Sequence, residues 1–236
     1  WAGGKFRLTD DLNRVFPKRK QCLIEPFVGA GAVFLNSHFE RYILADINPD
    51  LINLFNIVKE NVDAYIEACK PIFFAENANT ADYYYAQRDA FNQSSDPFER
   101  SVLFLYLNRF GFNGLCRYNS KNEFNVPFGA YKTHYFPEDE LRYFAHKAQS
   151  AVFLCADFQQ TFELADKQSV IYCDPPYAPL PQDTNFTGYA GNSFGLEHQK
   201  NLAECAKKAQ KEKQISVVIS NHDTKFTREI YKGAKF

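Results

Sequence analysis

Cys22-Leu23-Ile24-Glu25-Pro26-Phe27-Val28-Gly29-Ala30-Gly31 is the stretch that decides the fold. Cys22–Phe27 reads as a buried strand. The glycines behind it read as a tight turn, and Ala32–Leu35 opens an apolar helix. Working outward, Tyr42–Leu44 is a second strand that ends at Asp46. Asn48–Asn61 is a helix with Leu51, Leu54, Phe55 and Val58 on one face. Helical patterning continues through Asp63–Cys69, Ala81–Asn92 and Pro97–Arg109. Phe110–Tyr135, rich in Gly, Asn and Pro, fits a loop or hairpin. Pro137–Gln149 is helical again. The strands Val152–Cys155 and Ser169–Cys173 follow, then the turn Asp174–Tyr177 and a long loop over Pro179–Phe194. Leu196–Lys213 is an amphipathic helix and Ile215–Ser220 a β-branched strand.

Strands alternating with helices predict an α/β, doubly wound sheet. Residues 61–147 break the alternation and are expected to form an inserted, mainly helical subdomain with a hairpin at about 110–135. Residues 1–60 and 148–236 would make the sheet domain. No internal repeat occurs.

Apolar residues are 45% and charged residues 23% of the 236, which excludes a disordered chain. No apolar run approaches the ~20 residues that cross a bilayer, so no membrane partner is expected. Aromatics reach 17%, and an aromatic-rich core accounts for most such chains. The net charge of −1 is no global nucleic-acid signature. Locally the balance differs. Between Arg100 and Phe136, Arg100, Arg109, Arg117, Lys121 and Lys132 face Glu123 alone, interleaved with aromatics. That pattern suits a nucleic-acid surface, and equally a solvated face over an aromatic core. The six cysteines show no zinc spacing, so no metal is called for, and they suit a reducing compartment. The chain opens at Trp1, contains no Met, and ends in Tyr231–Phe236, which reads as backbone running toward a further strand; a trimmed product is expected.

Two constellations carry chemistry. In the first, Gly29 and Gly31 let the backbone approach a ligand at the carboxyl edge of the sheet. Asp46, closing the second strand, is placed to accept hydrogen bonds from ribose hydroxyls. A nucleoside is the expected ligand. The third glycine of a dinucleotide fingerprint falls at Phe34, which weakens that alternative. A plain strand–helix turn would carry the same glycines.

The second is Asp174-Pro175-Pro176-Tyr177, directly after an apolar strand. An exocyclic amine on a base is a poor nucleophile because its lone pair is delocalised. Two acceptors, the Asp174 carboxylate and the Pro175 carbonyl, would hold its hydrogens and free that pair. The prolines fix the carbonyl's direction. Tyr177 offers a stacking face worth ~1–3 kcal/mol per base. A surface Asp-Pro-Pro turn is the bland alternative.

The Phe27–Gly31 and Asp174–Tyr177 motifs, in that order around an insert, resemble the class I, S-adenosylmethionine-dependent amino-methyltransferases of DNA, α group. Trp1-Ala2-Gly3-Gly4-Lys5, Ala45-Asp46-Ile47-Asn48, Leu107–Asn119, Phe124–Gly129 and Ser220-Asn221-His222-Asp223 narrow the resemblance to Dam-type adenine-N6 methyltransferases, over essentially the whole chain. The resemblance implies methyl transfer from S-adenosylmethionine to adenine N6 in double-stranded GATC, with S-adenosylhomocysteine as product and base flipping as access. It implies a cytoplasmic, nucleoid-associated protein of bacterial or phage type, acting as a monomer. It assigns Trp1, Lys5, Phe27, Gly29, Gly31, Asp46 and Asp174 to the cofactor, and Asp174, Pro175 and Tyr177 to catalysis. It makes the insert a target-recognition hairpin, with Phe112, Asn113, Leu115, Arg117, Asn119, Pro127 and Tyr131 on DNA. Arg117 suits the guanine O6/N7 fork, and Leu115 a thymine methyl. Phe112 stands where the family commonly has Tyr, and Ala130 where it often has a basic residue. Asn185, Phe186, Thr187 and Tyr189 of the long loop would close over DNA or act as a mobile tether. His222 and Asp223 read as strand-end structure rather than a general base. Two rivals stay open: an adenine methyltransferase of a restriction–modification system with another site, and a catalytically silent nucleic-acid-binding module. The biological role, whether strand marking, replication timing or defence, is left open.

Overall fold

The computed structural model describes residues 5–178 and 194–236. Five strands form one sheet: β1 (Cys22–Glu25), β2 (Arg41–Asp46), β3 (Ala151–Cys155), β4 (Ser169–Cys173) and β5 (Ser216–Ile219), in the order β3-β2-β1-β4-β5. The β1–β2, β1–β4 and β4–β5 pairs are parallel. Ten α-helices are seen among the described residues: α1 (Thr9–Val15), α2 (Ala32–Leu35), α3 (Pro49–Glu60), α4 (Val62–Phe73), α5 (Ala81–Gln93), α6 (Pro97–Phe110), α7 (Glu138–Ala148), α8 (Phe158–Glu163), α9 (Leu196–Lys213) and α10 (Lys225–Ile230). This is an α/β chain built on a parallel sheet, consistent with a class I methyltransferase fold.

The chain divides into two compact units. One holds residues 6–28, 32–47, 154–178 and 194–236. Its central strands are apolar at every position but Glu25 and Ser169, and buried throughout, as strands covered on both faces must be. Side chains alternate across the sheet. Cys22, Ile24, Ile171 and Cys173 therefore share one face, packed with Phe158 and Phe162 of α8 and Leu202 and Ala209 of α9. On the other face the Tyr172 ring meets Phe16 edge-on at 6.0 Å.

The second unit holds residues 5, 29–31 and 48–153. Here aromatic rings make the core: Tyr106 stacks on Phe110 at 4.4 Å, Phe55 lies 4.8 Å from Phe144, and Phe91 packs on Phe104 and Phe124. Pro at the first helical position and a capping side chain start both α3 and α6. Asn48 accepts from the Asp50 and Leu51 amides, and Asp96 from the Glu99 amide.

Asp50 on α3 ties three segments together. Its carboxylate takes a two-pronged contact from Arg100 of α6, Nε at 2.9 Å and Nη2 at 3.0 Å, and the Tyr118 hydroxyl at 2.6 Å. Arg100 also donates to the carbonyls of Phe91 and Ser94, with its guanidinium 4.0 Å over the Phe91 ring. Arg100 thus leaves the basic surface that its sequence neighbourhood suggested. Burial, then Cys116 and Asp50, push the Tyr118 hydroxyl far above its ordinary value. Breaking a largely buried pair strands the surviving charge. Arg100→Ala should cost roughly 3 kcal/mol in urea unfolding followed by circular dichroism. Tyr118→Phe should cost about 1.5 kcal/mol. A loss under about 1 kcal/mol for Arg100→Ala would contradict the bracing role.

Candidate active site

Strand order reverses between β1 and β4: from β1 the sheet grows toward β2 and β3, from β4 toward β5. Ligands in such sheets bind beyond the carboxyl ends at that reversal. The two strands end at Glu25 and Cys173, and the two sequence motifs follow directly.

After β1 the Val28 amide still reaches back to the Ala45 carbonyl at 2.8 Å. Gly29 and Gly31 then take φ of 48° and 71°, the left-handed region that glycine enters without a Cβ clash. Phe27 stacks on Phe158 at 5.7 Å and meets Phe194 edge-on at 5.4 Å. Asp46, the last residue of β2, is half-buried, and its carbonyl accepts from the Ala156 amide.

Glu25 is the residue that the sequence reading passed over. It is 2% exposed, and its Oε1 has no hydrogen-bond partner among the described residues. Burial, with a further push from Asp174, raises its carboxyl to about 8, against a backbone hydrogen bond from Phe34 that lowers it. An acid in an otherwise apolar strand was the available signal. At the ends of β1, β2 and β4, within one unit, Glu25, Asp46 and Asp174 supply three carboxyl groups, an acceptor-rich set. That set fits a ligand carrying a cation and a ribose diol, as S-adenosylmethionine does.

On the β4 side, Asp174 is half-buried, Pro175 buried, Pro176 exposed and Tyr177 half-buried. Side chains from two other elements hold this turn. Gln199 of α9 donates from Nε2 to the Pro176 carbonyl at 2.7 Å. The Ala178 amide donates to Asn221 Oδ1 at 3.0 Å, and His222 Nδ1 lies 2.8 Å from the Ala178 carbonyl. The Tyr177 and His222 rings meet edge to face at 4.9 Å. A carbonyl can only accept, so His222 Nδ1 carries the proton. That supports the structural reading of His222. Asp223 pairs with Arg228 at 2.6 and 2.7 Å and is likewise engaged.

In the other unit, residues 110–135 form a hairpin held by the Phe112 amide to Pro127, Gly129 to Phe110, Asn125 to Arg117 and Asn119 to Glu123. Its isolated bridges pair Gly111 with Phe128 and Tyr118 with Phe124. Asn92 and Tyr84 of α5 bond its backbone at Phe124 and Val126. A Cβ on Gly129 would stand 2.4 Å from the Tyr131 ring. Phe112, Asn113, Arg117, Pro127 and Tyr131 are exposed, and Leu115 and Asn119 half-buried. Asn119 closes the hairpin tip, accepting from the Lys121 and Glu123 amides. The Tyr131 hydroxyl accepts from the Asn113 amide at 2.7 Å. Arg117 is exposed, and Asn125 anchors its Nε at 2.7 Å and Nη2 at 3.1 Å. Lys5 is half-buried in the same unit. Trp1 and the loop residues Asn185, Phe186, Thr187 and Tyr189 lie outside the described residues.

Glu25 keeps its proton in the folded chain above pH 4.5, where an unfolded glutamate has lost it. Its presence therefore lowers stability progressively from about pH 4.5 to about 8, and evenly beyond. Glu25→Gln is neutral at every pH. It should raise the melting temperature by a few degrees more at pH 8 than at pH 5. An equal shift at both values would contradict a buried, protonated acid.

Over residues 1–236 the chain matches the family described as D12 class N6 adenine-specific DNA methyltransferase. The DNA adenine methylase of Haemophilus influenzae is 83% identical over 236 residues, which is all of this chain and 82% of that protein. The DNA adenine methylases of Vibrio cholerae serotype O1 and Escherichia coli K12 are each 59% identical over 235 residues, covering 84% of their lengths. Matched over its whole length and joined by relatives at 59–83% identity, the chain belongs to the D12 class of N6 adenine-specific DNA methyltransferases.

Proposed function

We propose that this enzyme moves a methyl group from S-adenosylmethionine to adenine N6 in double-stranded GATC, after rotating the adenine out of the duplex. The observation that carries the reading is the Asp174–Tyr177 turn, held by three side chains at the carboxyl end of β4. When bound, S-adenosylmethionine supplies an electrophilic methyl on a sulfonium. Phe27, Asp46 and Asp174 would hold it. Trp1, Lys5, Gly29 and Gly31 join them on the family resemblance.

Asp174 and the Pro175 carbonyl accept the two hydrogens of the target amine. That favours a tetrahedral nitrogen and directs its lone pair. Neither proline has an N–H, so no backbone donor competes with the carbonyls at these two positions. Tyr177 supplies the flat face for the extruded base, with His222 behind it. The methylated nitrogen sheds its extra proton readily, and His222 is occupied at Nδ1 by the Ala178 carbonyl. An adenine inside a duplex cannot reach a sheet-edge crevice, so extrusion is required.

Sequence choice falls to the hairpin. Asn125 orients the Arg117 guanidinium plane, which suits a fork contact to guanine O6/N7. Leu115 suits the thymine methyl, Phe112 a wedge in the stack, and Asn113, Asn119, Pro127 and Tyr131 the remaining contact edge. Exposed Lys121 and Lys132 suit phosphate. Family members named DNA adenine methylase, at 59–83% identity, support an adenine-marking role.

Asp174→Ala should lower methyl transfer by roughly a hundredfold or more while DNA binding, read by gel shift, persists. Turnover within about tenfold of the parent would remove Asp174 from the chemistry. Arg117→Ala should narrow the rate gap between GATC and a duplex altered at the guanine pair by ~1–3 kcal/mol. Lys121→Ala should instead weaken all duplexes alike and reduce the salt slope by roughly one. An unchanged rate ratio in Arg117→Ala would make it a brace for the hairpin and no reader.

A further inference from the structure

The Asp174–Ala178 turn has an unusual supply problem. Pro175 and Pro176 have no N–H, so two of its five residues offer no backbone donor. Its shape must be set from outside. The Ser220 amide caps the Cys173 carbonyl at 2.9 Å just before the turn. Beyond it, the contacts run through two amide side chains in series. Asn221 Oδ1 accepts from both the Ala178 amide and the His222 amide, at 3.0 and 2.9 Å. Asn221 Nδ2 donates to Gln199 Oε1 at 2.8 Å, and Gln199 Nε2 donates to the Pro176 carbonyl at 2.7 Å.

The polarity of this chain is determined without ambiguity. Two backbone N–H groups face one atom of Asn221, so that atom is the oxygen. Its amide nitrogen must then donate, so the Gln199 oxygen faces it. The Gln199 nitrogen is left facing the Pro176 carbonyl, where a donor is needed. A flip at either amide would set two acceptors or two donors against each other. Gln199 is 1% exposed, and a buried amide bonded at both its oxygen and its nitrogen is a rigid link.

We propose that Gln199 and Asn221 are positioning residues of the methyl-transfer site. Together they form a two-amide relay that sets the orientation of the Pro175–Tyr177 backbone. The relay runs from α9 and the chain beyond β5 into the turn. Fixing the Pro176 carbonyl and the Ala178 amide fixes the peptide planes on either side of Tyr177. That aims the Pro175 carbonyl and the Tyr177 ring, neither of which the relay touches. This inference rests on the proposed role of the turn.

The test measures steady-state rates on a GATC duplex for the parent, Gln199→Leu, Asn221→Asp and the double variant. Leucine keeps the bulk of Gln199 and removes both bonds. Aspartate at 221 still accepts from Ala178 and His222 but cannot donate to Gln199 Oε1, so it severs the relay while keeping the local turn. Each single variant should lower kcat roughly tenfold to a hundredfold, with KM for S-adenosylmethionine within about threefold of the parent. The double variant should be no slower than the slower single one, because both cut the same chain. Losses that multiply, a kcat within about twofold of the parent in either single variant, or a loss confined to KM would overturn the relay. Asn221→Asp keeps the test decisive should Gln199→Leu fold poorly. An inactive parent would instead count against the proposed function itself.

Discussion

Parallel pairing of β1 with β4 is the constraint on which the molecule depends. It sets Leu23 against Val170 and Ile24 against Ile171, residues 147 positions apart in the chain. Both strands are buried on both faces, so the pairing is fastened by apolar packing along its whole length. The reversal of strand order at this pair then delivers two turns of different chemistry to one edge of the sheet. One turn is glycine-rich and lets the backbone come close. The other is proline-rich and holds acceptors still.

Burial at that edge has an electrostatic consequence. Glu25 closes β1 and Asp174 follows the last residue of β4; the deeper acid, Glu25, is driven toward its neutral form by lost hydration and by the charge of Asp174. Stability is given up there to keep a buried acid, a common feature of functional sites. In the helical unit the opposite solution is used. Asp50 is also buried, but Arg100 and Tyr118 satisfy it, and the result is a brace between α3, α6 and the hairpin.

How much of this was legible in the sequence depends on the range of the interaction. The strands, α3 and α9 announced themselves through local apolar patterning, and the two motif turns through Gly and Pro. Helices α8 and α10, six residues each, are too short to show a helical stripe, and local patterning marks neither. Arg100 was counted with the basic surface because its partner Asp50 lies fifty positions earlier. Glu25 read as one strand residue, since the burial that neutralises it is a property of the assembled sheet. Gln199 looked like any polar residue on an amphipathic helix. Only the packing of the first turn of α9 against Pro176 shows it to be buried and engaged. The two motif turns carry a local signal, and so does the Asn221-His222 pair that holds one of them; Gln199 carries none, because its contact is made across the chain.

The central claim is adenine-N6 transfer at GATC by the Asp174–Tyr177 turn. Methyl-labelled S-adenosylmethionine incubated with paired duplexes, one with GATC and one with that site scrambled, tests it most directly. Endonucleases that discriminate methylated from unmethylated GATC then read the product. The account predicts label as N6-methyladenine in the GATC duplex alone, with cleavage switching to the methylated pattern. Label spread over adenines in both duplexes, or none in either, would contradict it.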